Sequence, residues 1–184
     1  MEKLAENIYK INADSNLFFL DFDEKTVIDT GPPNYKGDIS KELSGLTDLA
    51  KIKKVVFTHL HYDHIGNFDL FPNAQFFASE EEIDYFKKHK IKAILHPLFA
   101  AKFNIDLKPL KELKGFDIIK TPGHTIGSIC LLYKKEKILF SGDTLFYNGF
   151  GRTDFPNSNP EDMEKSLEKL RKLGYKILAP GHDY

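Results

Sequence analysis

A chain of 184 residues is expected to form one domain, 1–184, with a substantial buried core, and its 41% hydrophobic and 29% charged residues are those of an ordinary globular protein. A formal net charge of −1 gives no global attraction for nucleic acid or an anionic membrane surface. The single Cys130 forbids an intramolecular disulfide, no apolar run approaches a membrane span, and Met1 to Glu6 lacks the apolar core of a signal peptide, so a cytoplasmic protein is expected.

In chain order, Ile8 to Asn12, Leu17 to Phe22 and Lys25 to Asp29 read as short strands, joined by turns at Asp14-Ser15-Asn16 and Asp23-Glu24. Gly37 to Leu49 reads as a helix, and Val55-Val56-Phe57 as a buried strand. Ser79-Glu80-Glu81-Glu82 has the form of a capping box, opening a helix through roughly Lys88 with Ile83 and Phe86 on its buried side. Residues 91–112 contain two prolines and read as loop and short helix over the mouth of a site. Phe116 to Lys120, Ser128 to Tyr133 and Lys137 to Phe140 follow as strands. Pro160-Glu161-Asp162 opens a helix that Gly174 closes, with Met163, Leu167, Leu170 and Leu173 as its apolar stripe. Tyr175 to Ala179 is the last apolar run. This pattern alone gives a chain of mixed α and β structure.

The most informative stretch is Thr58-His59-Leu60-His61-Tyr62-Asp63-His64-Ile65-Gly66, directly after a predicted strand. His59 and His61 lie two apart and point to the same side, as two ligands of one metal do. Asp63 and His64 follow in the turn, where Gly66 helps break the extended chain. Three more segments end an apolar run with a glycine and a ligand-type side chain: Pro122-Gly123-His124, Ser141-Gly142-Asp143 and Pro180-Gly181-His182. Five of the seven histidines fall in these four segments, which a random scatter would not produce. Imidazole and carboxylate without thiolate make a ligand set for zinc, iron or manganese and do not suit a structural cysteine-type zinc site.

These motifs, in this order, resemble the metallo-β-lactamase fold hydrolases, and most closely their short glyoxalase II-like (hydroxyacylglutathione hydrolase-like) members. The resemblance runs from Val27-Ile28-Asp29-Thr30-Gly31 to Pro180-Gly181-His182-Asp183-Tyr184. It implies a four-layer αββα sandwich with its metal site at one edge of the sheets. It further implies two divalent metal ions, zinc first with iron or manganese as alternatives. His59, His61 and His124 would hold the first, Asp63, His64 and His182 the second, and Asp143 would bridge them. Two such metals can share a hydroxide, since each lowers the pKa of bound water from about 15.7 toward 7. One also polarises the carbonyl under attack. Asp63 would orient the nucleophile and help pass a proton, and a thiolate leaving group needs little protonation. Full-length glyoxalase II enzymes carry a C-terminal helical region that helps bind glutathione. This chain stops two residues after His182, so no separate helical substrate domain is expected and those glutathione contacts do not transfer.

Asp29 carries two readings: a carboxylate that accepts the other N–H of a ligating imidazole, or a turn residue capping local backbone. Arg152 is one of two arginines and lies in Gly149-Phe150-Gly151-Arg152-Thr153-Asp154-Phe155-Pro156, which looks like the Gly-Arg-Thr-Asp stretch of glyoxalase II-like proteins and of the family's persulfide dioxygenases. It could bind a substrate carboxylate bidentately; a structural or mixed role, pairing with neighbours to hold the loop, is favoured. Tyr184 would touch substrate, crowd the site or sit in a disordered tail. Cys130 reads as a small buried hydrophobe, His89 as solvated, and His96 as surface or packing. The leading function is hydrolysis of a small-molecule thioester or ester at a dinuclear centre. A mononuclear iron oxygenase of the persulfide dioxygenase type, on His59, His124 and Asp143, competes with it, as does binding without turnover. A β-lactam substrate is disfavoured by the lack of a signal peptide, and no nucleic-acid or membrane partner is expected.

Overall fold

Alternation of apolar side chains along short strands sets the architecture, because successive residues of a strand face opposite ways. In the computed structural model, which describes residues 1–184, Leu17 and Phe19 of the Leu17–Leu20 strand join one core while Phe18 and Leu20 join another. A strand apolar on both faces must lie between two layers.

Eleven strands form two sheets. The first has seven strands in sequential order: β1 (Glu2–Ala5), β2 (Ile8–Ile11), β3 (Leu17–Leu20), β4 (Thr26–Ile28), β5 (Lys54–Val56), β6 (Gln75–Ala78) and β7 (Leu107–Pro109). Pairing is antiparallel from β1 to β4 and parallel from β4 to β7. The second sheet holds β8 (Phe116–Lys120), β9 (Ile129–Tyr133), β10 (Ile138–Gly142) and β11 (Ile177–Pro180), ordered β11-β10-β9-β8. Each parallel step needs a crossover. These are supplied by α1 (Lys36–Ser44), α2 (Tyr62–Ile65), α3 (Glu80–Ile94) with α4 (Pro97–Lys102), and α5 (Pro160–Arg171).

The sheets face each other across Phe18, Leu20, Ile28, Val56, Leu131 and Phe140. On its other face the first sheet packs Phe19, Val27 and Val55 against Ile39, Leu43, Ile83 and Ile94 of α1 and α3. The second sheet packs Cys130 and Leu139 against Leu170 of α5. The layers run helix, sheet, sheet, helix, the four-layer sandwich expected. Burial pushes the Cys130 thiol up to about 11, so it packs as an inert small hydrophobe. No helix is long and apolar enough to cross a membrane.

Several elements end elsewhere than the local pattern predicts. α1 stops at Ser44 instead of Leu49, because Asp48 turns extended and its side chain accepts the Ala50 N–H of a separate 3-10 turn. α3 passes Lys88 and continues to Ile94, bending at His89 and ending on Leu95 in the left-handed region. α5 ends at Arg171, leaving Gly174 beyond it. Asp63 and His64 lie on the one-turn helix α2, and Gly66 keeps helical angles there. What Gly66 provides is close approach: a Cβ would meet Pro33 Cδ at 2.5 Å and Gly31 O at 2.6 Å.

Phe140 is fully buried at the centre of the inter-sheet core, edge-on to Phe18 at 5.0 Å between ring centroids. Phe140→Ala removes that ring where the surrounding sheets cannot collapse. It is expected to cost about 3–5 kcal/mol in the free energy of unfolding measured by urea titration.

Candidate metal centre

All the candidate ligands sit where strands end at one edge of the sandwich. His59 and His61 follow β5, with Asp63 and His64 on α2 behind them; His124 follows β8, Asp143 follows β10 and His182 follows β11. The glycines named in the sequence make that convergence fit. Gly142 has φ +48° and leaves room for Thr58, whose Oγ1 a Cβ would meet at 2.6 Å. Gly181 lies against the centre itself, where a Cβ would collide with Asp143 Oδ1 and reach His64 Cε1 at 2.8 Å.

Three groups bring their ligand atoms within 4.8 Å of one another: His59, His61 and His124; His59, His64 and Asp143; and Asp63, His64 and His182. Asp143 faces both ends of this array. Its Oδ1 is 3.1 Å from His64 Nε2, and its Oδ2 is 3.5 Å from both His124 Nε2 and His182 Nε2. Asp63 Oδ2 lies 3.4 Å from His182 Nε2 and 3.9 Å from His64 Nε2.

The outward-facing nitrogens are fixed one by one. His64 Nδ1 donates to Asp29 Oδ2 at 2.9 Å, His124 Nδ1 to the Arg152 carbonyl at 2.8 Å, and His182 Nδ1 to the Asp14 carbonyl at 2.9 Å. The Thr58 hydroxyl gives its proton to Asp29 Oδ2 at 2.7 Å, so its oxygen accepts from His59 Nδ1 at 3.2 Å. In each of these rings Nε2 is left turned to the centre. His61 is reversed, with Nδ1 at 2.9 Å from His124 Nε2.

Whether this set fits a cation can be tested on its unpartnered atoms. Of the atoms turned to the centre, Nε2 of His59 and His64 and Oδ1 of Asp143 are buried without a hydrogen-bond partner; Nε2 of His61, on the far side of its reversed ring, is unpartnered as well. Each such atom costs about 1–3 kcal/mol in a protein interior. One cation accepts several lone pairs at once, so the donor set fits a metal centre of nitrogen and oxygen ligands. Electrostatics agree. Burial, reinforced by neighbouring imidazoles, holds His59 well below its ordinary pKa and His61 at about 3, and burial also lowers His124, leaving these rings neutral. Burial opposes charge on His64 and His182 too, but the carboxylates outweigh it: Asp143, Asp29 and Asp63 raise His64 well above its usual value, and Asp143 and Asp63 bring His182 to about 9. Asp143, despite its burial, is held well below the carboxylate range by His64 and His182. Protons and metal ions therefore compete for the same lone pairs.

Asp29 accepts from the His64 ring, as the first of its two readings has it, but it caps no local backbone: the N–H it accepts is that of Thr58, across at the end of the next strand. Besides His64 it accepts the Thr58 N–H at 2.8 Å, and it sits at φ 55°, a left-handed conformation that Asp tolerates better than most residues. Arg152 does not aim at the centre. Its guanidinium pairs bidentately with Asp154, at 2.9 and 2.7 Å, and stacks on Phe155 at 4.6 Å, while its carbonyl holds His124. Tyr184 lies parallel to His182, with ring centroids 5.0 Å apart, and its carbonyl accepts the Asn148 N–H at 3.0 Å. Both residues line a cleft of about 480 Å³ over the centre, rimmed by Tyr62, Phe146, Phe150 and Phe155. Leu95 is the part of segment 91–112 that reaches this mouth.

Several contributors carried no signal in the sequence. The carbonyls of Asp14 and Arg152 have no residue identity to read. Asp183, clamped by Lys10 at 2.5 and 2.7 Å and by Asn16 at 3.0 Å, holds the chain beside His182. Ser15 donates to the Asp63 carbonyl at 2.5 Å.

Residues 14–182 match the family model described as the metallo-beta-lactamase superfamily. A probable metallo-hydrolase of Methanocaldococcus jannaschii is 30% identical over 95% of this chain and 92% of its own length. A hydroxyacylglutathione hydrolase of Francisella tularensis subsp. novicida is also 30% identical, over 94% of this chain but 65% of its own length. Among solved structures, a protein crystallised in a di-iron-bound form superposes with a TM-score of 0.74 at 24% identity, covering 96% of this chain and 92% of the other.

Asp29→Asn keeps the side-chain shape and the tolerance for positive φ but places an amide against donors. Metal affinity measured by isothermal titration calorimetry is expected to fall about 10–100-fold, with the circular dichroism spectrum unchanged.

Proposed function

The chain belongs to the metallo-β-lactamase superfamily, and within it we propose a dinuclear metal-dependent hydrolase that cleaves a small thioester or ester, of glyoxalase II-like type. The observation that carries the reading is the convergence of two complete three-residue groups, His59-His61-His124 and Asp63-His64-His182, with Asp143 facing both. A single-metal oxygenase site on His59, His124 and Asp143 would leave the second group without a role. Zinc is the proposed metal, and iron or manganese would suit the same donors. The substrate is a small molecule, and the proposed location is the cytoplasm.

Bound divalent ions supply Lewis acidity and a lowered water pKa. The protein's own part is orientation and proton handling. Asp29, Thr58 and the carbonyls of Asp14 and Arg152 hold four imidazoles with Nε2 turned inward, so no ring reorganises during reaction. Asp63 borders the open cleft, where its carboxylate orients an attacking water, takes its proton and passes it to an alkoxide. A thiolate leaves without that help. Tyr62, Phe146, Phe150 and Phe155 form an aromatic rim on the same cleft. The chain spans 65% of the hydroxyacylglutathione hydrolase's length.

The test is a panel of acyl thioesters and esters, with a chromogenic β-lactam and a persulfide as controls. Thioester hydrolysis is expected, falling to background after chelation and in His124→Ala, and returning on addition of zinc. Chelator-resistant hydrolysis, or oxygen consumption with the persulfide by iron-loaded protein, would overturn the reading.

A further inference from the structure

Glu82 lies outside the ligand set, yet its carboxylate joins two of the loops that carry ligands. The residue is fully buried. Its Oε1 accepts the N–H of Leu60 at 3.1 Å, midway between His59 and His61. Its Oε2 accepts the Thr125 hydroxyl at 2.8 Å and the Gly127 N–H at 3.0 Å, in the segment immediately after His124. Both oxygens are thus engaged, one on each loop, and every donor is neutral. Ser79 completes the stitch: its Oγ accepts the Glu82 N–H at 3.1 Å and donates to the Gly127 carbonyl at 2.6 Å. Gly127 is pressed so closely on this helix end that an added Cβ would collide with Glu82 N and meet Ser79 Oγ at 2.6 Å.

We propose that Glu82 is a positioning residue that sets the separation of the His59-Leu60-His61 loop from the His124 loop, and so the geometry of one metal position. The proposal rests on the metal-hydrolase reading above. It applies to one group of ligands, because His64 and His182 are oriented from elsewhere, by Asp29 and the Asp14 carbonyl. Burial pushes the Glu82 carboxyl up to about 6, against the stabilising effect of its three hydrogen bonds. A carboxylate is the one side chain of this length that accepts on both oxygens. Glutamine has the same shape but turns an N–H₂ toward donors on one side, so one loop loses its tie.

Glu82→Gln is the direct test, with two readouts. In metal-free protein, the imidazole nitrogen resonances of His59, His61 and His124 are expected to move while those of His64 and His182 stay. In a competition titration against a zinc-chelating dye, one zinc is expected to bind about 10–100-fold more weakly, with the other unchanged. A lower melting temperature with unmoved resonances and wild-type zinc affinity would assign Glu82 to helix capping alone and overturn the proposal. So would equal weakening of both zinc ions. Thr125→Val removes one donor without disturbing the helix. It is expected to shift the same three resonances less, and it decides the matter if Glu82→Gln does not fold. Wild-type protein that binds one zinc would count against the dinuclear reading, and the metal-free resonances would still judge Glu82.

Discussion

Five imidazoles and two carboxylates share one largely buried centre, and several of their inward atoms have no hydrogen-bond partner. His59, His61 and His124 are held neutral while the carboxylates favour a proton on His64 and His182, and unpartnered buried polar atoms are costly. The surrounding structure is arranged to impose this situation. Each outward N–H of His59, His64, His124 and His182 has its own acceptor, which turns the opposite nitrogen inward. Such an arrangement is unfavourable in a protein alone and favourable around cations, so binding energy and folding energy are coupled.

The two-sheet scaffold makes the arrangement rigid. The candidate ligands that follow β5, β8, β10 and β11 come from both sheets, and the inter-sheet core of Phe18, Val56, Leu131 and Phe140 lies between those sheets. Asp29, at the end of β4, ties its own strand to Thr58 after β5 and to His64 on α2. Glu82 does for the far side of the first sheet what Asp29 does at its centre, reaching Leu60 on one loop and Thr125 and Gly127 on another. Asp183, gripped by Lys10 and Asn16, fastens the stretch after β11 to the β2–β3 side. Remote contacts therefore act on the centre through a few short, buried links.

The sequence reveals this fold where the physics is local. β3 and β4 are apolar on both faces and stand out, and glycine-plus-ligand endings mark the edge where the centre forms. β1, with Glu2 and Lys3 exposed, has no apolar run to detect, and β7 is three residues long and ends in proline. β6 pairs between two parallel neighbours, a non-local arrangement that nothing within Gln75–Ala78 announces. The capping-box pattern identified Ser79 as a cap but misassigned Glu82. Local spacing points its side chain back at the helix end, whereas the groups that claim it lie at Leu60, Thr125 and Gly127. Likewise, the ligand-type residues are visible, but the carbonyls of Asp14 and Arg152 that select their tautomers are not.

The most direct test of a two-metal centre is anomalous diffraction from a crystal of the zinc-loaded protein, recorded on both sides of the zinc edge. Two peaks are predicted, one among His59, His61 and His124 and one among Asp63, His64 and His182, both in contact with Asp143. A single peak held by His59, His124 and Asp143, with His64 and His182 turned away, would contradict it.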